Sequence, residues 1–260
     1  MSQTNEILYD KRGHTVWLTI NRAERRNAIN AGVIAGIADG LRQAAADAEV
    51  RAVVLTGTGE KAFCAGADLS GGTSTFGRDF SQPNSPFADL LRQVHNLNLP
   101  IVARVNGVCM AGGMGLMGMC DLAVAAEHAV FGLPEVKIGV FPMQILSVLQ
   151  PLLHPRDLYE LCMTGEPIDA ARAREIGLVN YTASAPALDE KLDWLLGRIV
   201  DKSPTAIRRG KYALRTIADM TFEQSIAFTE GQIGLAAMTE DAREGVTAFN
   251  EKRKPVWPGR

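Results

Sequence analysis

The chain of 260 residues contains no run of about 18 apolar residues, which excludes a transmembrane helix of ordinary length. It also has no surplus of positive charge. Lys and Arg number 27 against 29 Asp and Glu, a net charge of −2. No global basic field is therefore offered to nucleic acid or to an anionic membrane, and neither is expected as a partner. Cysteine is scarce: Cys64, Cys109, Cys120 and Cys162 form no C-x-x-C pair. Disulfide frameworks are unusual in chains this long, so free thiols and a reducing cytoplasm are expected. The polar first residues lack the apolar segment of a secretory signal. His14, His95, His128 and His154 are scattered without metal-type spacing, so no metal site is expected. A P-loop and a G-x-S-x-G nucleophile elbow are both missing.

What is present is an ordinary globular composition, 47% hydrophobic and 22% charged. Four apolar, β-branched runs read as strands, at 15–20, 52–55, 101–105 and 122–125. Between the first two, Val33, Ile34, Ile37 and Leu41 recur at helical spacing behind Asn30, a suitable N-cap. Ser85-Pro86 opens a second helix, which must end before Pro100. From about residue 142 helical periodicity dominates, at 144–153, 155–163, 169–176, 187–201, 204–218, 222–237 and 240–250. Gly177 ends one of these helices, and a short strand Leu178-Val179-Asn180-Tyr181 follows. Residues 70–84 lack apolar periodicity and read as a loop. The simplest division is one α/β domain, with a β/α core over 1–195 and a helical region over 196–260.

Two glycine-rich segments follow strands. Residues 61–69 place Ala65, Gly66 and Ala67 where a ligand can approach the backbone, or where the chain makes a tight turn. Residues 106–118 place Gly112 and Gly113 at the start of a helix. The free N–H groups and dipole there suit an anion, although close helix–sheet packing needs small residues too. Gly113, Gly115 and Gly118 spell G-x-G-x-x-G, but two strands and two helices precede them. A dinucleotide fingerprint opens the helix after the first strand, so this placement argues against one. Glu135 lies in an apolar run behind Pro134; desolvation there raises a carboxyl pKa towards the range useful for acid–base chemistry, the alternative being a surface turn or a partner for Lys137. The basic cluster Arg208-Arg209-Lys211 reads as a solvated helix face or a phosphate contact.

The ordered set of segments resembles the crotonase (enoyl-CoA hydratase/isomerase) superfamily over almost the whole chain. The matching residues are Asn21-Arg22 with Asn27-Ala28; Lys61 through Leu69; Pro100 through Ala103, leading to Asn106-Gly107; Ala111-Gly112-Gly113; Cys120-Asp121-Leu122; Phe131 through Glu135; Gly165 with Ala173, Glu175, Gly177, Leu178 and Val179; and Phe249 through Pro255. The resemblance implies a crotonase-like spiral of repeated β-β-α units, with C-terminal helices packing between subunits of a homo-trimer or homo-hexamer. It implies an acyl-CoA thioester as substrate and no permanently bound cofactor. By the same resemblance, the backbone amides of Ala67 and Gly112 hold the thioester oxygen, Glu135 moves protons, and CoA lies along Ala65, Ala67, Asp68, Leu69 and Ser70. An enolate formed next to the thioester needs such preformed donors in a dry site.

The chain departs from this pattern in two respects. Hydratases of the family carry two glutamates, and the first falls where this chain has Gly115. The usual glycine-rich stretch after Pro142 is replaced by Met143-Gln144-Ile145-Leu146. One carboxylate suits double-bond isomerisation better than hydration; a non-catalytic acyl-CoA binder is the remaining alternative. Gln144 and Asp79 are candidates for completing a hydratase site.

Overall fold

The computed structural model describes residues 6–77 and 79–260. Among the described residues, ten strands fall into two sheets. The larger has the order β1 (Ile7–Arg12), β2 (Thr15–Ile20), β3 (Ala52–Gly57), β5 (Ile101–Val105), β7 (Leu122–Ala126) and β10 (Tyr181–Ala183). The smaller has the order β4 (Ala62–Cys64), β6 (Val108–Met110), β8 (Val130–Gly132) and β9 (Ile168–Asp169). After β3, β5 and β7 the chain leaves the large sheet, turns, and adds a two- or three-residue parallel rung to the small one. A helical segment then returns it to the large sheet. Each β-β-helix unit therefore stacks on the last.

Side-chain alternation explains why this stack is stable. In a strand covered on both faces, successive residues serve opposite layers. Val53 and Leu55 of β3 enter the larger apolar cluster, packed under helices α1 (Ala31–Ala46), α2 (Pro86–Asn96) and α3 (Gly112–Gly118). Ala52 and Val54 face the other way, onto Leu192 and Leu196 of α7 (Leu188–Val200). Asn30 caps α1 by accepting the Val33 N–H, and Ser85 caps α2, with Pro86 at its first position. Gly177 takes a left-handed φ just past α6 (Ala170–Glu175).

Two sequence expectations need correction. The stretch 144–153 is helical only at α4 (Leu146–Leu149), because Ile145, Leu149 and Leu153 reach the core from turns. The proposed strand 178–181 begins three residues later, at Tyr181. Leu178 and Val179 are buried, but Asn180 bonds Ala123 with both its backbone N–H and its side-chain oxygen, and ladder pairing with β7 starts beyond it. The 70–84 segment is mostly irregular, with 3₁₀ turns over Leu69–Phe76; Arg78 lies outside the described residues.

The C-terminal helices are α8 (Pro204–Thr216), α9 (Phe222–Ala237) and α10 (Glu240–Asn250), reached from α7 after α5 (Pro155–Thr164) and α6. One carboxylate ties α8 to the core. Asp121 accepts from Lys211 Nζ at 2.6 Å, from Arg215 at 3.0 Å and from the Ile101 N–H. Among the described residues, no helix is long and apolar enough to cross a membrane.

Candidate active site

Two of the motif asparagines prove to be scaffold. Asn27, fully buried in a left-handed conformation, donates to the carbonyls of Thr58 and Ala62. Asn106 donates to those of Gly57, Gly59 and Ala62. Short polar side chains here satisfy carbonyls that the turn between β3 and β4 would otherwise bury unpaired. They fix where β4 ends and hence where Ala65, Gly66 and Ala67 begin.

The Ala67 amide is aimed by its neighbours. Ile29 N–H donates to Gly66 O and Asp68 N–H donates to Ile29 O, both at 2.8 Å. This parallel bridge uses the groups flanking Ala67, so the N–H of Ala67 itself points to the opposite side. Gly66 has φ +101°, open to glycine, and a Cβ on it would lie 2.8 Å from the Ala111 Cβ.

The Gly112 amide is aimed by strain. Ala111 has φ +49° and ψ −124°, a conformation that costs a non-glycine residue about 1–3 kcal/mol. Its own N–H is tied to Gly132 O at 2.9 Å. Gly112 then opens α3, where a first-turn N–H has no helical acceptor. The two amides adjoin: a Cβ built on Gly112 lies 3.9 Å from Ala67 N, and one built on Gly66 lies 3.7 Å from Gly112 N. The structure thus brings Ala67 and Gly112 together across two consecutive units of the stack.

The carboxylate follows from the same pairing. Met110 pairs with Gly132 in the β6–β8 ladder, and three residues later Glu135 sits in a 3₁₀ turn over Pro134–Ile138. The side chain is half-buried, and its Oε2 is buried with no hydrogen-bond partner among the described residues. Burial holds its carboxyl above the ordinary glutamate range. Burial, with the charge of Glu135 added to it, pushes the neighbouring Cys162 thiol up to about 11. An orphaned carboxylate oxygen carries a desolvation cost that a reacting C–H or O–H relieves.

The other expected residues lie on the loop that follows β4. Ala65 donates its N–H to Arg26 O. Asp68 spends its carboxylate on Arg22, at 2.8 Å, and on the Ser70 N–H, which holds it at a pKa of about 2. Arg22 also reaches Ala28 O at 2.6 Å and Glu6 at 3.2 Å. Asp68 is thereby a brace for its loop, leaving backbone groups as what it offers a ligand. Leu69 and Ser70 are exposed.

The glycines of the G-x-G-x-x-G string are packing residues. A Cβ on Gly113 would meet Cys64 O at 2.3 Å, and one on Gly118 would meet Leu149 at 2.9 Å. At Gly115 the space is already taken. Ile145 Cγ2 lies 2.2 Å from the position of a Cβ there, with Phe87 Cζ at 3.5 Å. Of the side chains expected to complete a hydratase site, Gln144 donates to Ser85 Oγ at 2.7 Å, and Asp79 accepts from Ser81. Sequence reasoning missed Ile145 as the occupant of this space and Cys162 as the neighbour of Glu135, since neither carries a motif.

Known proteins share this architecture. A family model described as enoyl-CoA hydratase/isomerase matches residues 11–260. A short-chain-enoyl-CoA hydratase of Clostridium acetobutylicum is 32% identical over 259 residues, covering 97% of each chain. A carnitinyl-CoA dehydratase of Escherichia coli O157:H7 is 33% identical over 256 residues, 96% of this chain and 97% of that one. The crystal structure of an enoyl-CoA hydratase from Bacillus anthracis superposes with a TM-score of 0.90 at 31% identity, covering 98% of this chain and 100% of the other.

Proposed function

The chain belongs to the enoyl-CoA hydratase/isomerase family, within the crotonase superfamily, and from that footing we propose that it acts on enoyl-CoA thioesters through an enolate held by Ala67 and Gly112, with Glu135 as the proton carrier. The observation that carries this reading is the adjacency of the two amides, with a Gly112 Cβ position 3.9 Å from Ala67 N. Paired donors where charge develops favour the enolate over the neutral thioester. They acidify the proton next to the carbonyl. Glu135, with its unpartnered oxygen, takes that proton or returns one to the chain. The CoA thioester is the substrate and not a resident cofactor; its adenine and phosphate portions run along Ala65 to Ser70.

A second reading, isomerisation without hydration, is favoured by Ile145. Hydration requires a water held at the β-carbon, and a second carboxylate on the Gly115 side is sterically blocked by Ile145. A lone Glu135 suffices to lift a proton from one carbon and set it down on another. The deciding experiment is a panel of enoyl-CoA esters in ¹⁸O-labelled water, with products read by mass spectrometry. Labelled 3-hydroxyacyl-CoA supports hydration and rules out a pure isomerase. A shifted double bond without label supports isomerisation alone. Tight binding with no product from any ester overturns both in favour of a non-catalytic binder.

We also assign the 196–260 region to assembly as a trimer or hexamer. Phe222, Ile233, Val246 and Phe249 on α9 and α10 are 64–83% exposed, which supports a covering partner. Sedimentation velocity is expected to give three or six chains, and Ile233→Asp with Phe249→Asp is expected to shift the species towards monomer. The four free, buried thiols support placement in the reducing cytoplasm.

A further inference from the structure

Helix α8 carries Arg208, Arg209, Lys211 and Arg215 and no acidic residue. Asp121 takes up Lys211 and Arg215. Arg208 and Arg209 are left with neutral partners: Arg208 donates to Val50 O at 3.0 Å, and Arg209 donates to Gln232 Oε1 at 3.1 Å. Both line a cleft of about 350 Å³, with Asn98, Tyr212, Gln232 and Leu235 as its other walls. No carboxylate is among them. The Arg209 Nε faces no acceptor although it is buried. A second cavity of about 300 Å³ shares Asn98 and Tyr212 and is likewise free of acidic lining.

A guanidinium N–H removed from water and left unpaired is costly, and two adjacent guanidinium groups without a counter-charge repel. An oxyanion in the cleft supplies the counter-charge that its lining lacks. Its oxygens match the planar fork of arginine, and charge-assisted bonds of this kind are about twice as strong as neutral ones. Gln232 holds one end of the Arg209 fork. The Asn98 and Tyr212 side chains supply further polar groups, and Leu235 closes one side. We propose that this cleft, between α8, α9 and the connection from α2 to β5, is a binding site for a phosphate-type oxyanion, free or carried by a small organic molecule. It is independent of the acyl-CoA reading of the Glu135 site.

The test is calorimetric titration of the whole protein, free of CoA esters, with inorganic phosphate and with ribose 5-phosphate at constant ionic strength in chloride. Saturable binding is expected. Arg209→Gln is expected to weaken it about tenfold or more, and Arg209→Lys, which keeps charge but loses the fork, to fall between. Tighter binding of ribose 5-phosphate than of phosphate identifies an organic ligand; equal binding identifies the free ion. Titrations that do not saturate, or that are the same in wild type and Arg209→Gln, overturn the proposal. So does dissociation of an oligomer by Arg209→Gln without any phosphate binding, since the counter-charge then comes from a second copy. Circular dichroism checks that Arg209→Gln is folded, and Arg208→Gln with Arg209→Lys carry the test if it is not.

Discussion

Glu135→Gln is expected to lower kcat by about 10²–10⁴-fold, the usual contribution of a positioned acid or base, while affinity for acyl-CoA esters stays close to wild type. The amide is isosteric, so the packing around Cys162 and the backbone donors is untouched. What disappears is the proton affinity of the orphaned oxygen. Burial raises the Glu135 pKa, so the acid limb of the kcat–pH profile should lie above the ordinary carboxylate range, activity falling as pH drops through the raised value. The stability effect has the opposite sense to that of a salt-bridged acid. A carboxyl raised in the folded state binds more protons there than in the unfolded chain. Its contribution is therefore favourable at low pH and is lost as pH rises from the unfolded value through the folded one. Glu135→Gln removes the buried charge, so its Tm at neutral pH should equal or exceed that of wild type. Stopped assays, binding titrations and thermal melts of the one variant test all three statements. Unchanged turnover would remove Glu135 from the chemistry.

Gly112→Ala is the second variant, with an expected loss of about 10²–10³-fold in kcat/KM, the scale for losing one oxyanion donor. Backbone donors cannot be deleted by changing a side chain, only obstructed. The new methyl would stand 3.9 Å from Ala67 N, beside the donor pair proposed to hold the thioester oxygen. Its one tight contact is with Ile29 Cδ1 at 2.9 Å, the far end of a flexible side chain that can rotate away. The fold should therefore tolerate the change, with a small drop in Tm. A melt and a kinetic assay on the same preparation separate the two effects. Full activity in Gly112→Ala would place the substrate oxygen elsewhere.

The large sheet is legible in the sequence because β3, β5 and β7 are covered on both faces and read as mostly apolar runs. The small sheet is not, because rungs such as Ala62–Cys64 and Val130–Gly132 are too short to display any period. Strand β1 escapes for another reason: it is an edge strand whose Asp10, Lys11 and Arg12 face solvent. Apolar spacing over 144–153 marks buried positions correctly but not the backbone that delivers them. At the site, Glu135 is legible from its place between Pro134 and an apolar run, and Gly115 as a missing carboxylate by resemblance. The Arg22–Asp68 pair spans 46 positions, and the plug formed by Ile145 against Gly115 spans thirty. Contacts at that range are set by how the units stack, which no local pattern records.

Ala67 and Gly112 belong to different windings of the coil, 45 residues apart, and each is aimed by hydrogen bonds to a third segment: Ile29 for one, Gly132 for the other. Neither loop owns the pair of donors. Transplanting residues 61–69 or 106–118 alone into a foreign scaffold would carry the motif and leave the paired amides behind. During refolding, turnover should return only with the last winding to dock, so regained activity reports that the whole coil has closed.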